Sequence, residues 1–252
     1  MSKSTLTGKR VVVLGASKGV GREIVRRARE ASAAEILAVA RGREDLQRLA
    51  SELPGVRTLA LDAAAEDGPR QVFDALRPDV LVICGGATPA TSPLQDLSWQ
   101  EFAVNWDTDV RISFLFCREA LRAPLATGSA VILISSGAGL GGSPISGGYA
   151  GAKRMQMFMA GYCQKESSRL KLGIRFTTLV PMRIMPETEL GRAAAEGYAR
   201  YLGIQPTDFI EGMQDRQSVR DVAEAVLEIA ADVADAQDAV ISVSASGLAR
   251  VA

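Results

Sequence analysis

Val11-Val12-Val13-Leu14-Gly15-Ala16-Ser17-Lys18-Gly19-Val20-Gly21 decides the fold of this chain. Four apolar, mostly β-branched residues read as a buried strand; three glycines follow, and the next stretch carries Ile24, Val25 and Ala28 at helical spacing. A strand that runs through glycines into a helix aims backbone N–H groups and a helix N-terminus at one point, which suits a pyrophosphate. The glycine spacing differs from the commoner G-x-G-x-x-G form, and the plain alternative is an ordinary tight strand-to-helix turn.

The same rhythm continues outward from that unit. Ile36-Leu37-Ala38-Val39, Arg57-Thr58-Leu59-Ala60-Leu61, Val80-Leu81-Val82-Ile83 and Ala130-Val131-Ile132-Leu133-Ile134 are further strand candidates. Ile174-Arg175-Phe176-Thr177-Thr178-Leu179-Val180 and Ala239-Val240-Ile241-Ser242-Val243 complete the set. Nearly all-apolar strands separated by helical patterns predict a parallel sheet with helices on both faces, because only such a sheet buries both sides of its strands. The expected fold is α/β: a doubly wound parallel seven-stranded sheet of the Rossmann type, in a single domain spanning residues 1–252. Ligands of such sheets bind beyond the carboxyl ends of the strands, where the winding direction reverses. Two segments break the rhythm there: residues 137–151, with seven glycines, and residues 182–215, rich in Met, Pro and acidic residues. Both are candidate active-site loops, the second a flap over substrate.

Composition narrows the chemistry. Lys plus Arg equals Asp plus Glu, 29 against 29, so no excess positive charge draws the chain to nucleic acid or an anionic membrane. The sequence has no histidine, which removes the Ser-His-Asp triad, the Cys-His pair and His-ligated metal sites together. Proton transfer is left to Tyr, Lys, Asp, Glu or Cys. Cys84, Cys117 and Cys163 are odd in number and widely separated, which fits a reduced chain whose thiols are small buried apolar groups. Met1 to Gly8 carries no apolar signal region, and no apolar run approaches the roughly 18 residues of a membrane span. The expected location is the cytoplasm, with no membrane, nucleic-acid or metal partner.

Selection between the two nicotinamide dinucleotides is expected at the end of the second strand, where a carboxylate bonds a ribose 2′-OH and a cation meets a 2′-phosphate. The sequence there reads Ala38-Val39-Ala40-Arg41, with no acid until Glu44. Arg41, helped by Lys18, is suited to charge-assisted bonds with a phosphate, so NADP(H) is expected over NAD(H).

Tyr149-Ala150-Gly151-Ala152-Lys153 places a phenol and an ammonium on one helical face. A tyrosine ionises near ~10 in water, so proton exchange near neutral pH requires a depression of roughly three units, about 4 kcal/mol. The lysine charge, together with an oxidised nicotinamide, is a source of that field. Ser136 ends the strand beginning at Ala130, thirteen residues before Tyr149, where its hydroxyl can bond a substrate carbonyl.

With glycine turn, serine, tyrosine and lysine in this order, the chain resembles the short-chain dehydrogenase/reductase family along essentially its whole length. The resemblance implies that Tyr149 donates a proton to the substrate oxygen as hydride moves from nicotinamide to carbon. It implies that Lys153 holds the nicotinamide ribose and lowers the tyrosine pKa, and that Ser136 orients the carbonyl. It also assigns the cofactor to Gly15, Ser17, Lys18, Gly19, Val20 and Gly21, Arg41, Asp62 with Ala63 beside the adenine, Cys84, Gly85 and Gly86, and Pro181 with Ile184. The plain alternative for Asp62 is a helix N-cap.

Three positions depart from the family pattern. The turn after strand four reads Cys84-Gly85-Gly86 where the family has Asn-Ala-Gly, and Met182 replaces the glycine after Pro181. Counting back from Phe114 puts Asp109 where the family has an asparagine that holds a relay water by the lysine, with Asn105 the choice if the register differs. A carboxylate accepts hydrogen bonds there but cannot donate as an amide does. The segment from Met182 through Met185 to Tyr198, Tyr201 and Phe209 is expected over a hydrophobic or bulky carbonyl substrate, and Met155, Met157 and Met159 in the core or at a subunit contact. The family implies a homodimer or homotetramer. The expected activity is NADP(H)-dependent interconversion of a ketone or aldehyde and its alcohol. The alternatives are a catalytically weak NADP(H)-binding sensor or assembly partner, and an enoyl reductase or epimerase.

Overall fold

The computed structural model describes residues 5–231 and 240–251; Met1 to Ser4, at the start of the chain, and Ala239, in the last expected strand, lie outside them. The strands are β1 (Arg10–Leu14), β2 (Glu35–Ala40), β3 (Arg57–Ala60), β4 (Val80–Ile83), β5 (Ala130–Ile134), β6 (Arg175–Pro181), β7 (Val240–Ser244) and β8 (Gly247–Arg250). They form one sheet in the order β3-β2-β1-β4-β5-β6-β7-β8, parallel from β3 to β7. The helices are α1 (Gly19–Glu30), α2 (Arg43–Glu52), α3 (Gly68–Ala75), α4 (Trp99–Asn105) and α5 (Arg111–Arg122) in the first half. They continue with α6 (Ala138–Gly141), α7 (Gly147–Arg169), α8 (Glu189–Leu202), α9 (Pro206–Glu211) and α10 (Val219–Ala230).

Alternation along β1 shows why the central strands β1, β4 and β5 had to be apolar almost throughout. Val11 and Val13 enter a core shared with Ile24 and Val25 of α1, Leu46 of α2 and Val222 and Val226 of α10. Val12 and Leu14 enter a second core with Val72 of α3, Leu115 and Phe116 of α5 and Ala160 of α7. Period-two side chains therefore serve two helix layers at once. Met157 and Met159 are buried and Met155 packs against the second core, as do the buried Cys117 and Cys163.

The sheet differs from the seven strands expected by one added edge. β8 pairs antiparallel with β7 after the turn at Ala245 and Ser246, with Val243 opposite Leu248. Its four residues, Gly-Leu-Ala-Arg, contain one large apolar side chain and so leave no run to read.

Candidate active site

The winding reverses between β1 and β4, and their ends lie side by side: the Cys84 N–H donates to the Leu14 carbonyl at 3.1 Å. Gly15 follows β1 with φ +76°, and a Cβ on it would lie 2.6 Å from Gly85 N and Cα, so the two loops touch backbone to backbone. That contact explains the glycine at 15, whereas a Cβ on Gly85 would meet Gly15 N only at 3.6 Å, an ordinary contact. Helix α1 begins with no side-chain cap from Lys18 and no acidic residue in its first turn. Its first N–H groups and positive dipole end are thus left to an outside acceptor, next to Ser17, Gly19, Val20 and Gly21.

Lys18 and Arg41, assigned together to a phosphate, have different surroundings. Lys18 Nζ lies 2.9 Å from Glu189 Oε1 and 3.6 Å from Asp45 Oδ2, linking the glycine turn to the start of α8. Arg41 is exposed at the end of β2 and makes no hydrogen bond or ion pair with the described residues. Asp62 caps a turn, its Oδ1 accepting from the Ala64 N–H at 3.0 Å; the nearest helix starts at Gly68 behind Asp67, so a helix-cap role is ruled out for it.

A second group of side chains lies past β4 and β5. Lys153 is buried on α7, its Nζ 3.0 Å from Asp109 Oδ2 and 3.2 Å from the Ile134 carbonyl, and 5.5 Å from the centre of the Tyr149 ring. An ammonium has three donors, so one N–H remains for a ligand. Burial disfavours the charge, but Asp109, Tyr149 and Cys84 outweigh it and the lysine pKa is raised. Asp109 Oδ1 also accepts from the Ala87 N–H at 2.9 Å and from Asn105 Nδ2 at 3.2 Å, while Asn105 donates to the Ala87 carbonyl. A Cβ on Gly86 would lie 2.6 Å from Asp109 Oδ2. Asp109 therefore meets the lysine, and Asn105 meets Asp109. A π-helical turn, Trp106–Val110, joins α4 to α5 and carries the aspartate.

Ser136 is half-buried and its Oγ accepts from the Ala138 N–H at 3.2 Å, which leaves its O–H free to donate. The neighbouring Ser135 is buried and donates to the Lys153 carbonyl at 2.8 Å, tying the end of β5 to α7. Ser113 Oγ donates to the Asp109 carbonyl and accepts from Gln156 Nε2, both at 2.8 Å. Ser135, Ser113 and Gln156 escaped the sequence reading. The signal for the last two was a polar residue at a core position of a helical pattern. For Ser135 it was the strand alternation that turns consecutive serines to opposite faces.

Residues 182–215 hold no strand, as expected, but fold into α8 and α9 rather than open loop. Thr188 caps α8, accepting from the Gly191 N–H, and Gly203 ends it at φ +70°. Tyr198 and Phe209, read as substrate contacts, stack on each other with centres 5.2 Å apart. Arg200 donates to the Thr91 carbonyl, docking α8 on the loop after β4. Pro181 is buried at the end of β6, and Ile184 is half-buried just beyond it.

Against known proteins, the short chain dehydrogenase family model matches residues 9–198. The chain belongs to the short-chain dehydrogenase family. L-xylulose reductase of Mesocricetus auratus is 31% identical over 133 residues, 52% of this chain and 54% of that protein. The chain thus spans about half the length of the L-xylulose reductases it matches. D-erythrulose reductase of Gallus gallus is 27% identical over 200 residues, 73% of this chain and 74% of that protein. Among solved structures, a Shigella flexneri short chain dehydrogenase complexed with NADP has a TM-score of 0.77 at 18% identity, covering 96% of this chain and 98% of that one. The family is one of oxidoreductases, and no helix among the described residues is long and apolar enough to cross a membrane.

Proposed function

We propose that the protein is an NADP(H)-dependent reductase of small carbonyl compounds, with Tyr149 the proton donor. The observation that carries this reading is the placement of the Tyr149 ring 5.5 Å from Lys153 Nζ, past the carboxyl ends of the strands that also carry the glycine turn. The residues present fit a dinucleotide: the uncapped start of α1 and the close approach of Gly15 to Gly85 leave a backbone cradle of the kind that takes a diphosphate. Arg41 would meet the 2′-phosphate, Asp62 and Ala63 would lie by the adenine, and the free Lys153 donor would take the nicotinamide ribose. When bound, the cofactor supplies the hydride. Ser136 donates its O–H to the substrate oxygen and orients it, and Tyr149 then delivers the proton to that oxygen. In alcohol oxidation the same phenol oxygen receives the proton. The half-exposed Phe114 and Phe158 on α5 and α7 support pairing of these helices in a homodimer or homotetramer.

The test is NADPH oxidation with L-xylulose, D-erythrulose and cyclohexanone, wild type beside Tyr149→Phe. Loss of at least about 100-fold in turnover on removal of the one oxygen is expected; undiminished turnover overturns the assignment. NADPH binding without turnover of any carbonyl favours the sensor reading, which the direct contact of Asp109 with Lys153 motivates.

A further inference from the structure

Helix α7, which carries Tyr149 and Lys153, is fixed to the sheet through its own backbone. Ser135 at the end of β5 donates to the Lys153 carbonyl at 2.8 Å, and Thr178 of β6 donates to the Gln156 carbonyl at 3.3 Å. Asp109, which holds the Lys153 ammonium, comes from elsewhere, the π-helical turn Trp106–Val110. That turn has to be set against α7. Trp106 rests on Gly151, but it is 40% exposed and the contact is apolar, so it gives no direction.

A second link to α7 is directional. Gln156 Nε2 donates to Ser113 Oγ, and the Ser113 hydroxyl donates to the Asp109 carbonyl, each at 2.8 Å. The Ser113 bond alone is the ordinary return of a helical serine to the carbonyl four residues back. Gln156 turns it into a tie between two helices. The tie is wholly buried: Gln156 and Ser113 are 0% exposed and Asp109 is 1% exposed. Because the Ser113 proton goes to Asp109, its oxygen can only accept, which draws the Gln156 amide nitrogen toward it and leaves Gln156 Oε1 without a hydrogen-bond partner among the described residues. An amide half-satisfied in a core costs stability, and a methionine of the same length fills the space without that cost. Gln156 is a poor core filler and a good directional tie.

We propose that Gln156 and Ser113 are positioning residues: the chain from the Gln156 amide through the Ser113 hydroxyl to the Asp109 carbonyl sets the π-helical turn in register with α7, so that Asp109 meets Lys153 and the free Lys153 donor is aimed at the nicotinamide ribose. The proposal rests on Lys153 being the ribose ligand and Tyr149 the proton donor. With the tie removed the turn shifts, Lys153 follows its carboxylate, and cofactor and phenol lose their common alignment.

Three variants separate positioning from packing. Ser113→Ala strands the Gln156 amide in the core and is expected to melt well below wild type, and Gln156→Met removes the tie alone. The double variant Ser113→Ala/Gln156→Met removes both partners and is expected to melt within about two degrees of wild type. Despite that recovery, its kcat is expected to be at least about ten-fold lower. The carbonyl is whichever of L-xylulose, D-erythrulose and cyclohexanone wild type turns over fastest. Its KM is expected to stay within about two-fold, because Ser136 is untouched. In fluorescence titration the double variant is expected to bind NADPH at least about three-fold more weakly. Either wild-type kcat or wild-type NADPH affinity in the double variant overturns the proposal. So does a double variant whose melting temperature falls along with its activity, because the tie then serves the fold alone. Full turnover in Tyr149→Phe instead overturns the functional reading, while the NADPH titration of the double variant still decides whether the tie sets Lys153.

Discussion

Two lysines stand at the carboxyl edge of the sheet, each held by a carboxylate, and they teach opposite lessons. Lys18 in the glycine turn reaches Glu189 at 2.9 Å with its side chain 52% exposed. Lys153 reaches Asp109 at 3.0 Å with its side chain almost wholly buried. The two distances are nearly equal, so exposure to solvent is the main difference between the pairs. In water the Lys18 pair is screened and replaceable, and both partners remain free to meet a ligand. In the dry site neither partner can lose the other without leaving a bare charge in low dielectric. The first pair is an adjustable contact; the second is part of the framework.

The largest test of that contrast is Lys153→Met alone, which strands Asp109 as a buried carboxylate. Unfolding in urea is expected to show a loss of about 3–5 kcal/mol, most of it recovered in the double variant with Asp109→Asn. Comparable stability of the single and double variants would mean that water enters the site and that the two lysines do not differ as claimed.

Next in size is the thiol beside the dry pair. Cys84 has an ordinary value of 9.0 and is pushed up to about 11 by burial, so the folded state keeps a proton that the unfolded chain gives up. The stability this contributes is present below pH 9 and is lost as pH rises from there through 11. The fall amounts to about 2–3 kcal/mol by linkage. Lys153, also raised, steepens the upper end of the same decline. In Cys84→Ala the decline is expected to begin later, when urea midpoints are compared between mildly and strongly alkaline buffer. Superimposable curves for the two proteins would sink it.

What could be read in the sequence follows the same division. The glycine turn was legible because its work is done by backbone, and backbone geometry is written in glycine positions and strand patterning: Gly15 at φ +76° against Gly85 is that case. The seven parallel strands were legible for the same reason, and β8 was not, having a single large apolar side chain. The dry cluster was only half legible. Tyr149 and Lys153 share a helix and so a predictable face. Asp109 comes from another element through a π-helical turn, for which Trp106-Asp107-Thr108-Asp109 gives no local signal. The choice between Asn105 and Asp109 was a false alternative. The two side chains bond each other at 3.2 Å, so both belong to the cluster. A flap read as loop became two helices because Thr188 and Gly203 cap α8 at its two ends.

The smallest effect belongs to the exposed pair. Glu189→Gln removes one of two carboxylates around Lys18, the other being Asp45 at 3.6 Å. Because that contact is solvated, the melting temperature is expected to stay within about one degree of wild type. The freed ammonium, however, lies in the turn proposed to meet the cofactor phosphates. NADPH is expected to bind about two- to three-fold more tightly at low salt, with the gain vanishing at high salt as the charges are screened. Arg41→Ala in the same fluorescence titration runs the other way. Loss of a charge-assisted bond to a 2′-phosphate weakens NADPH by about ten-fold or more and leaves NADH nearly untouched. Equal losses for the two dinucleotides would remove Arg41 from the 2′-phosphate. A destabilised Glu189→Gln would show that the solvated pair bears on folding after all, and the distinction between the two lysines would lose its wet half.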